Sequence, residues 1–543
     1  MCRPHAPGTR ARDTRPVPCA VSPLPPDADD RAGRATRAAV DEALVAAAVL
    51  NAGLEPAGLD PALIRSGHPG PAGSRYGDLL RGGLAPLTIG LTLSMTLVAF
   101  EIIGSATAMP AVLEDIGGIT FYGWALAAPL AGSLMAAPFG GRFADRFGVF
   151  VPLVVSLLLF AIGLVAASFA PSMTGVAAGR FVQGLGAGSL TTLQLAIVAR
   201  CYSVDLRARM LALLSTAFVV PGLIGPFLAS AVAESIGWRW VYGGILPVLA
   251  LTGVLLLPPA YRRVRHPLAN QGPSTDAEGT PVAVTRWWPP LALSAGVAIA
   301  VVTLGSGDLR WVPIGVVALV AIGIGMRGTL PRGAFGPRRI PSTAAGSALL
   351  ASFAYLTFEA FIPLLLRDVR GLSLIYAALP LTAAAIFWAC GSWFMTRLTP
   401  AQRPTAASIG NVLEALGIAM GLALLSEAVP FWVAYPATAV ASFGMGLAFT
   451  IDQTVAVEWA GPGREGAAGA AVQLANLLGG ALGIGLSAIV LAWLSTDIPR
   501  AIGISFVLII VAALGAAVVS RWLPDRRPGP KPVVEALEPR TAP

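Results

Sequence analysis

Three ionisable side chains interrupt long apolar stretches of this chain: Glu101, Arg180 and Glu359. Such a group at the centre of a membrane-spanning helix costs about 2.5–3.5 kcal/mol on insertion-based scales, so it usually has a partner or water nearby. A carboxyl group in apolar surroundings can carry a proton. Glu101 and Glu359 are therefore candidate proton carriers, or else carboxylates that only hold helices together. Arg180 requires a carboxylate, backbone carbonyls or water, unless it extends to the nearby end of its stretch.

Four further residues have weaker claims to a role. Gln183 could hydrogen-bond a bound molecule or a helix. Phe358 adjoins Glu359 and could wall a pocket, although aromatic residues in such stretches more often face lipid or core. Asp452 lies near the end of its stretch, facing either a cavity mouth or solvent. Glu414 is central in its stretch, and pairing with a neighbouring helix is our only suggestion for it.

The composition indicates which class of protein positions these residues. The chain has 543 residues, of which 55% are hydrophobic and 12% charged, and its mean hydropathy is +0.72. Soluble proteins carry about 25% charged residues, so an integral membrane protein with many spans is expected. The apolar stretches show no period-two alternation, which favours helices over barrel strands. The fold class expected is an all-α polytopic membrane protein.

Other classes of function find little support. The net charge of +8 would suit nucleic-acid binding, but cations in the loops of a membrane protein explain it better. The cysteines are far apart and the three histidines lie in polar segments, so neither a disulfide framework nor a metal site is expected. The chain has no nucleophile–base constellation and no phosphate-binding Gly-Lys loop. We expect no enzyme activity, no metal, no cofactor and no nucleic-acid partner.

The apolar stretches predict fourteen membrane-spanning helices. Their expected bounds are 84–110, 122–140, 149–169, 174–199, 211–234, 240–259, 288–305, 311–326, 343–366, 373–395, 405–426, 430–451, 467–494 and 501–521.

Arginine is distributed unequally between the two ends of these spans. One end, here called the Arg-rich end, carries Arg142, Arg146, Arg200, Arg207, Arg209, Arg262, Arg263, Arg265, Arg327, Arg332, Arg338, Arg339, Arg397, Arg403, Arg464, Arg521, Arg526 and Arg527. The other, the Arg-poor end, carries mainly Arg239, Arg310, Arg367, Arg370 and Arg500. Since short cytoplasmic loops are enriched in arginine, the Arg-rich end and both termini are expected in the cytoplasm.

Two six-span groups echo each other across an inserted pair of spans. The spacing from Pro110 to Asp115 equals that from Pro363 to Asp368. A weaker echo relates Gly186 and Gly188 in the fourth span to Gly444 and Gly446 in the twelfth. A repeat of this kind predicts two lobes with a binding site between them, near the middle of the membrane.

The loop after the second span carries a recognisable signature. Gly141, Asp145, Arg146 and Gly148 follow the pattern Gly-x-x-x-Asp-Arg-x-Gly, which resembles the loop motif of the major facilitator superfamily. Two glycines permit a tight turn, and Asp145 can cap a helix or pair with an arginine. In that family the loop latches one conformation of a rocking cycle. The basic residues that usually follow are replaced by Val149 and Phe150.

Motifs in later spans strengthen this resemblance. Arg180 and Gln183 resemble the family's Arg-x-x-Gln-Gly motif, whose arginine modulates a nearby acid in proton-coupled members. The segment from Pro221 to Pro226 resembles the antiporter motif, with Pro221 in place of its first glycine. The motif residues of that segment are Pro221, Gly222, Gly225 and Pro226. Close helix packing at a kink is the alternative explanation for this segment.

Trp238-Arg239-Trp240 and the segment from Gly371 to Pro380 resemble the fourteen-span drug–proton antiporter branch. The resemblance implies two six-helix lobes plus two inserted helices, working by alternating access. It implies export of amphipathic small molecules against protons across a bacterial plasma membrane, with Glu101 and Arg180 as the proton-coupling residues. Glu359, on the repeat-related ninth span, is the second candidate acid. Two alternatives stay open: a dedicated exporter of one endogenous metabolite or siderophore, and a transport-inactive receptor or scaffold.

The expected organisation follows from these assignments. It comprises a disordered cytoplasmic tail in 1–83, a first lobe in 84–259, loops and inserted spans in 260–340, a second lobe in 341–521 and a cytoplasmic tail in 522–543. The expected partners are a small-molecule substrate, protons and the lipid bilayer, and the protein is expected to be a monomer.

Overall fold

The computed structural model describes residues 76–81, 83–264, 288–305, 309–329, 340–460 and 465–525. The predictions for residues 1–75, for most of the polar loop after residue 260 and for residues 526–543 fall outside these ranges. So do the side chains of Arg142 and Asp145.

The described residues form helices at all fourteen predicted positions. They are α1 Ala85–Ile116, α2 Tyr122–Phe147, α3 Phe150–Ser168, α4 Met173–Cys201, α5 Val204–Ser235, α6 Ile245–Val264, α7 Trp288–Gly305, α8 Val312–Thr329, α9 Ile340–Leu364, α10 Leu374–Met395, α11 Arg403–Ala423, α12 Ala434–Trp459, α13 Glu465–Trp493 and α14 Ile498–Ser520. A short helix, Arg239–Gly243, precedes α6, and a π-helical turn, Leu365–Val369, extends α9.

Eleven of these helices are long and apolar enough, in their described residues, to cross a membrane. Helices α5, α7 and α8 do not meet that standard. In α5 and α8 the apolar parts are the shorter stretches Val219–Ser235 and Pro313–Met326. The chain is therefore a multi-pass helical membrane protein, and the count of fourteen spans stays a prediction.

The same pattern of helix neighbours occurs twice along the chain. In the first six helices, α4 packs on α2 and α3, and α1 packs on α5 and α6. In the last six, α12 packs on α10 and α11, and α9 packs on α13 and α14. Each pair recurs eight helices later. We call α1–α6 the first group and α9–α14 the second group; they meet where α2 packs on α13 and α5 packs on α10.

The glycine echo between the fourth and twelfth helices reflects this repeat. A Cβ on Gly186 would meet the backbone nitrogen of Phe160 on α3 at 2.5 Å. A Cβ on Gly444 would meet the backbone nitrogen of Glu414 on α11 at 2.8 Å. Both glycines therefore allow close approach of the third helix of their group, and Glu414 occupies the position that Phe160 holds in the first group.

The described structure begins before α1, within the last residues of the predicted tail. Tyr76–Leu80 form a 3-10 turn in which Leu79 is buried. The Thr88 hydroxyl donates to the Leu79 carbonyl at 2.7 Å, so the Tyr202 hydroxyl, 2.8 Å away, donates to Thr88. Burial raises the pKa of Tyr202 to about 12, which keeps this donor protonated at physiological pH.

Candidate functional site

Glu101 and Arg180 form an ion pair inside the first group. The Arg180 Nη1 atom lies 2.5 Å from Glu101 Oε1, and both side chains are 2% exposed. Arg180 Nε donates to the Ala125 carbonyl of α2 at 2.6 Å. Arg180 therefore does not extend to the membrane surface; it finds a carboxylate and a carbonyl on two neighbouring helices.

Ser105 completes this ion pair and was missed by the sequence analysis. Its hydroxyl donates to Glu101 Oε1 at 3.0 Å and also receives a hydrogen bond from Arg180 Nη1. Ser105 lies four residues after Glu101, so the two side chains share one face of α1. That spacing was the available signal in the sequence.

The Trp-Arg-Trp segment closes the first group at the Arg-poor end, beyond the ion pair. Asp115, at the end of α1, accepts hydrogen bonds from Trp238 Nε1 at 2.9 Å and from Arg239 Nη1 at 2.6 Å. The following Tyr242 is buried, and the Arg180 guanidinium lies 5.9 Å from the centre of its ring. Trp240 is 58% exposed. The segment thus combines a lipid-facing aromatic residue with a cover for the buried pair.

The two groups are joined at the Arg-poor end by charged residues. Arg367 Nη2 of the second group lies 2.7 Å from Glu114 Oε2 of the first. Glu234, at the end of α5, accepts the backbone N–H of Leu374 at 2.7 Å. Because Leu374 begins α10, this carboxylate caps a helix of the opposite group. The described structure is therefore closed at the Arg-poor end.

The segment resembling the antiporter motif lies at the contact between the groups. Gly222 faces α10, where an added Cβ would lie 2.6 Å from the Cβ of Ala385. Gly225 faces α1, and its added Cβ would make an ordinary contact of 3.6 Å with Phe100. Helix α5 continues through Pro221 and Pro226. Gly222 is thus the residue of this segment that sets how closely the two groups approach.

Gly222→Ala is expected to lower the apparent melting temperature and slow transport, because overpacking at a rigid site costs about 1–3 kcal/mol. Gly225→Ala should behave like wild type, and Ala385→Gly should restore the Gly222→Ala protein by vacating the same space. Thermal unfolding of the four purified proteins checks this. Equal losses for the two glycine variants would contradict the assignment.

The loop signature after the second helix differs in one respect from the expected turn. Helix α2 continues to Phe147, and Gly148 ends it with a φ of 75°, a conformation that favours glycine. Gly141 lies inside the helix and takes no part in the turn, so the prediction of a two-glycine turn was wrong for it. Arg146 is exposed, with its guanidinium 5.3 Å from the centre of the Phe147 ring.

Glu359 and its neighbour Phe358 face different surroundings. Glu359 is half-buried and lies one helical turn from Tyr355, whose ring packs against Trp388 at 5.1 Å. Phe358 is 1% exposed and packs against Phe506 of α14 at 5.4 Å. Successive helical residues point about 100° apart, which explains the separation. Phe358 is a core residue of the second group, and we do not retain it in the proposed site.

Gln183 and Asp452 are completely buried. The backbone of Gln183 packs directly against Gly163 of α3, and both polar atoms of its amide lack a hydrogen-bond partner. Neither carboxyl oxygen of Asp452 has a partner of normal geometry. A solvated position for Asp452 is thus ruled out in this conformation, while contact of either residue with a transported molecule stays a prediction.

The second group contrasts with the first in its buried charges. In the first group, Glu101 is paired with Arg180. In the second, Glu414 and Asp452 are both fully buried without a hydrogen-bond partner of normal geometry. Pairing of Glu414 with a neighbouring helix was suggested from the sequence, and no ion pair or hydrogen bond of normal geometry joins its carboxyl group to another described residue. The residues described contain no group of three or more His, Cys, Asp or Glu side chains that could hold a metal ion.

The structure combines a six-helix pattern that occurs twice with charged side chains buried between the helices. This combination is typical of a membrane transporter. Residues 91–451 match the profile of the Major Facilitator Superfamily, which is more than half of the chain. The protein therefore belongs to the Major Facilitator Superfamily, a family of transporters.

Two bacterial relatives are similar over most of their length. A probable multidrug-efflux transporter of Mycobacterium tuberculosis is 27% identical over 408 residues, which is 70% of this chain and 82% of the relative. Multidrug resistance protein 3 of Bacillus subtilis is 23% identical over 414 residues, which is 73% of this chain and 78% of the relative.

Solved structures confirm the fold. An auto-inhibited peptide transporter of the POT family has a TM-score of 0.60 at 18% identity, covering 80% of this chain and 96% of its own. A D-xylose–proton symporter has a TM-score of 0.55 at 16% identity, covering 81% of this chain and 98% of its own. At sequence identities this low, the similarity indicates a shared fold but gives no information about the substrate.

Proposed function

We propose that this protein is a proton-coupled exporter of amphipathic, often cationic, small molecules. The buried Glu101–Arg180 pair is the observation that carries the proposal. Removing two charges from water is costly, and a pair of this kind is only weak evidence for stability. A function that uses the pair explains its presence better, and proton exchange on Glu101 would change the charge that Arg180 must balance.

In the proposed cycle the first and second groups act as two rocking lobes, with α7 and α8 as an inserted pair in a fourteen-span topology. The Arg-rich end and both termini lie in the cytoplasm, following the arginine distribution. In this scheme the described conformation, closed at the Arg-poor end, is assigned to the state that takes up substrate from the cytoplasm. Substrate enters there, while opening of the Glu114–Arg367 contact releases it outside.

Protons drive this cycle through Glu101, with Arg180 and Glu359 as accessory groups. Proton binding to Glu101 from outside weakens its attraction to Arg180 and favours the next conformational change. Release of that proton inside returns the protein to its starting state. The membrane potential contributes about 2.3 kcal/mol per charge per 100 mV, in addition to any pH gradient.

The substrate class rests on the second group and on the relatives. Tyr355, Trp388 and Phe449 form a connected row of rings, with centroid separations of 5.1 and 6.1 Å. Glu359 lies on the same helix as Tyr355, one turn away. Aromatic faces beside a carboxylate suit an organic cation. The multidrug names of the two bacterial relatives agree with this class.

Reconstituted vesicles test the proposal. An imposed pH gradient should drive uptake of a lipophilic cationic dye into vesicles that contain the protein, with release of protons in the opposite direction. Unrelated amphipathic compounds should compete with the dye. Protein-free vesicles are the control. Dye movement without any proton movement would contradict the proposal, and failure of all unrelated compounds to compete would favour a dedicated exporter.

A further inference from the structure

We infer that Glu414 is a second proton-binding residue, enclosed in the second group and separate from the Glu101–Arg180 pair. This inference rests on the proposed proton coupling and extends it. Glu414 lies on α11 and has no exposed surface. Neither of its carboxyl oxygens has a hydrogen-bond partner of normal geometry, and the polar group beside it is the backbone of Tyr355.

No described cation is positioned to balance a charge on Glu414. Helix α11 packs against α12, α14 and α9. The charged and titratable side chains of these four helices are Arg403, Tyr355, Glu359, Tyr435, Asp452, Glu458 and Arg500, with Arg521 directly after α14. The cations among them lie at helix ends. Arg403 pairs with Glu458 at 2.7 Å, and Arg521 donates to Ser408 at 3.3 Å.

The protonated acid is therefore the form that this packing accommodates. An ionised carboxylate removed from water without a hydrogen bond or a counter-charge is strongly disfavoured. The protonated carboxyl is neutral and loses far less on burial. In this conformation the Glu414 carboxyl group is protonated, whereas the Glu101 carboxylate forms an ion pair with Arg180.

The repeat shows that packing alone does not require an acid at this position. Phe160 fills the equivalent place in the first group, against Gly186 instead of Gly444. The residue equivalent to Arg180, six positions before Gly444, is Thr438. The second group thus has an acid where the first has an apolar ring, and a hydroxyl where the first has a guanidinium.

Tyr355 lies on α9 one helical turn before the half-buried Glu359, and its backbone is the polar group beside Glu414. The Tyr355 hydroxyl donates to Ser442 at 2.9 Å, because the Ser442 hydroxyl itself donates to the Thr438 carbonyl. Protonated Glu359 passes its proton to the Glu414 carboxylate, becomes a carboxylate itself, and takes up a new proton from the solution on its exposed side. In the alternative conformation the reverse transfer removes the proton from the Glu414 carboxyl group.

Infrared difference spectroscopy on the full-length protein in lipid tests this inference. The difference between acidic and alkaline buffer should contain the carbonyl band of a protonated carboxyl group, shifted by its apolar surroundings. Glu414→Gln should remove the contribution of Glu414 to that band and leave any contribution of the equally buried Asp452. Glu427→Gln, which changes an exposed carboxyl after α11, should keep the whole band. Glu414→Phe, which installs the residue of the equivalent position, replaces Glu414→Gln if the amide variant does not fold.

Proton counting provides the second measurement. In vesicles, the number of protons moved per dye molecule should fall by about one in Glu414→Gln and stay unchanged in Glu427→Gln. An unchanged band and an unchanged proton count in Glu414→Gln would overturn this inference and leave the proposed function standing. A wild-type protein that moves dye without protons would instead overturn the proposed function.

Discussion

Arg180→Ala is expected to abolish proton-driven transport and to destabilise the protein by about 3–5 kcal/mol, because it leaves Glu101 as a buried charge without a partner. Glu101→Gln should abolish the coupling of dye movement to protons as well, since the amide does not titrate. Dye uptake driven by a pH gradient and thermal unfolding in detergent are the measurements.

The double variant Glu101→Gln with Arg180→Gln separates stability from function. With both charges absent it should regain most of the stability lost in Arg180→Ala, so the two losses should be far from additive. Transport should stay uncoupled. Arg239→Ala is the matched control, because its pair with Asp115 is about half exposed and surface pairs contribute little. Proton-driven dye uptake in the double variant equal to wild type would exclude the proposed role of this pair.

Cross-linking the first and second groups at the Arg-poor end should stop transport almost completely. The proposed alternating access requires Glu114 Oε2 and Arg367 Nη2, which lie 2.7 Å apart, to separate in every cycle. A cleavable bifunctional thiol reagent joining Glu114→Cys to Arg367→Cys therefore holds the protein in the described conformation. Cleavage of the reagent should return transport to the level of the untreated double variant. Dye uptake before and after treatment measures both steps.

A pair within one group is the control for this experiment. Asp115→Cys and Arg239→Cys place thiols at the same end, but both belong to the first group. Cross-linking them should leave transport close to that of the untreated protein. The native cysteines must first be replaced, since Cys390 is exposed. Full transport by a protein cross-linked between Glu114→Cys and Arg367→Cys would contradict rocking at this end.

The loop and antiporter-like motifs show how far sequence patterns reach. The patterns located Gly148 and Gly222 in the right segments, because glycine requirements are local in the chain. They did not show that Gly148 alone forms the turn, or that Gly222 rather than Gly225 limits the approach of the two groups. Those distinctions depend on which neighbouring helix faces each residue.

The predicted site residues divide in the same way. Glu101, Arg180 and Glu359 were found because an ionisable residue in an apolar stretch is conspicuous in any sequence. Arg180 was expected to require a carboxylate, backbone carbonyls or water, and it contacts Glu101 and the Ala125 carbonyl. Phe358 was weighed as either a pocket wall or a core residue, and the structure places it against Phe506, on a different face of the helix from Glu359. Tyr242, two residues after the Trp-Arg-Trp motif, was not singled out from the sequence, although it lies beside Arg180.

The sequence by itself determined the membrane class, the positions of the helices and the family resemblance. These properties follow from hydropathy and from short motifs, which neighbouring residues in the chain define together. Only the tertiary structure decided that Glu101 is paired while Glu414 is enclosed without a partner. Burial and pairing depend on how each helix is rotated and which helices pack around it, and residues 79 positions apart, such as Glu101 and Arg180, contain no local signal of their contact.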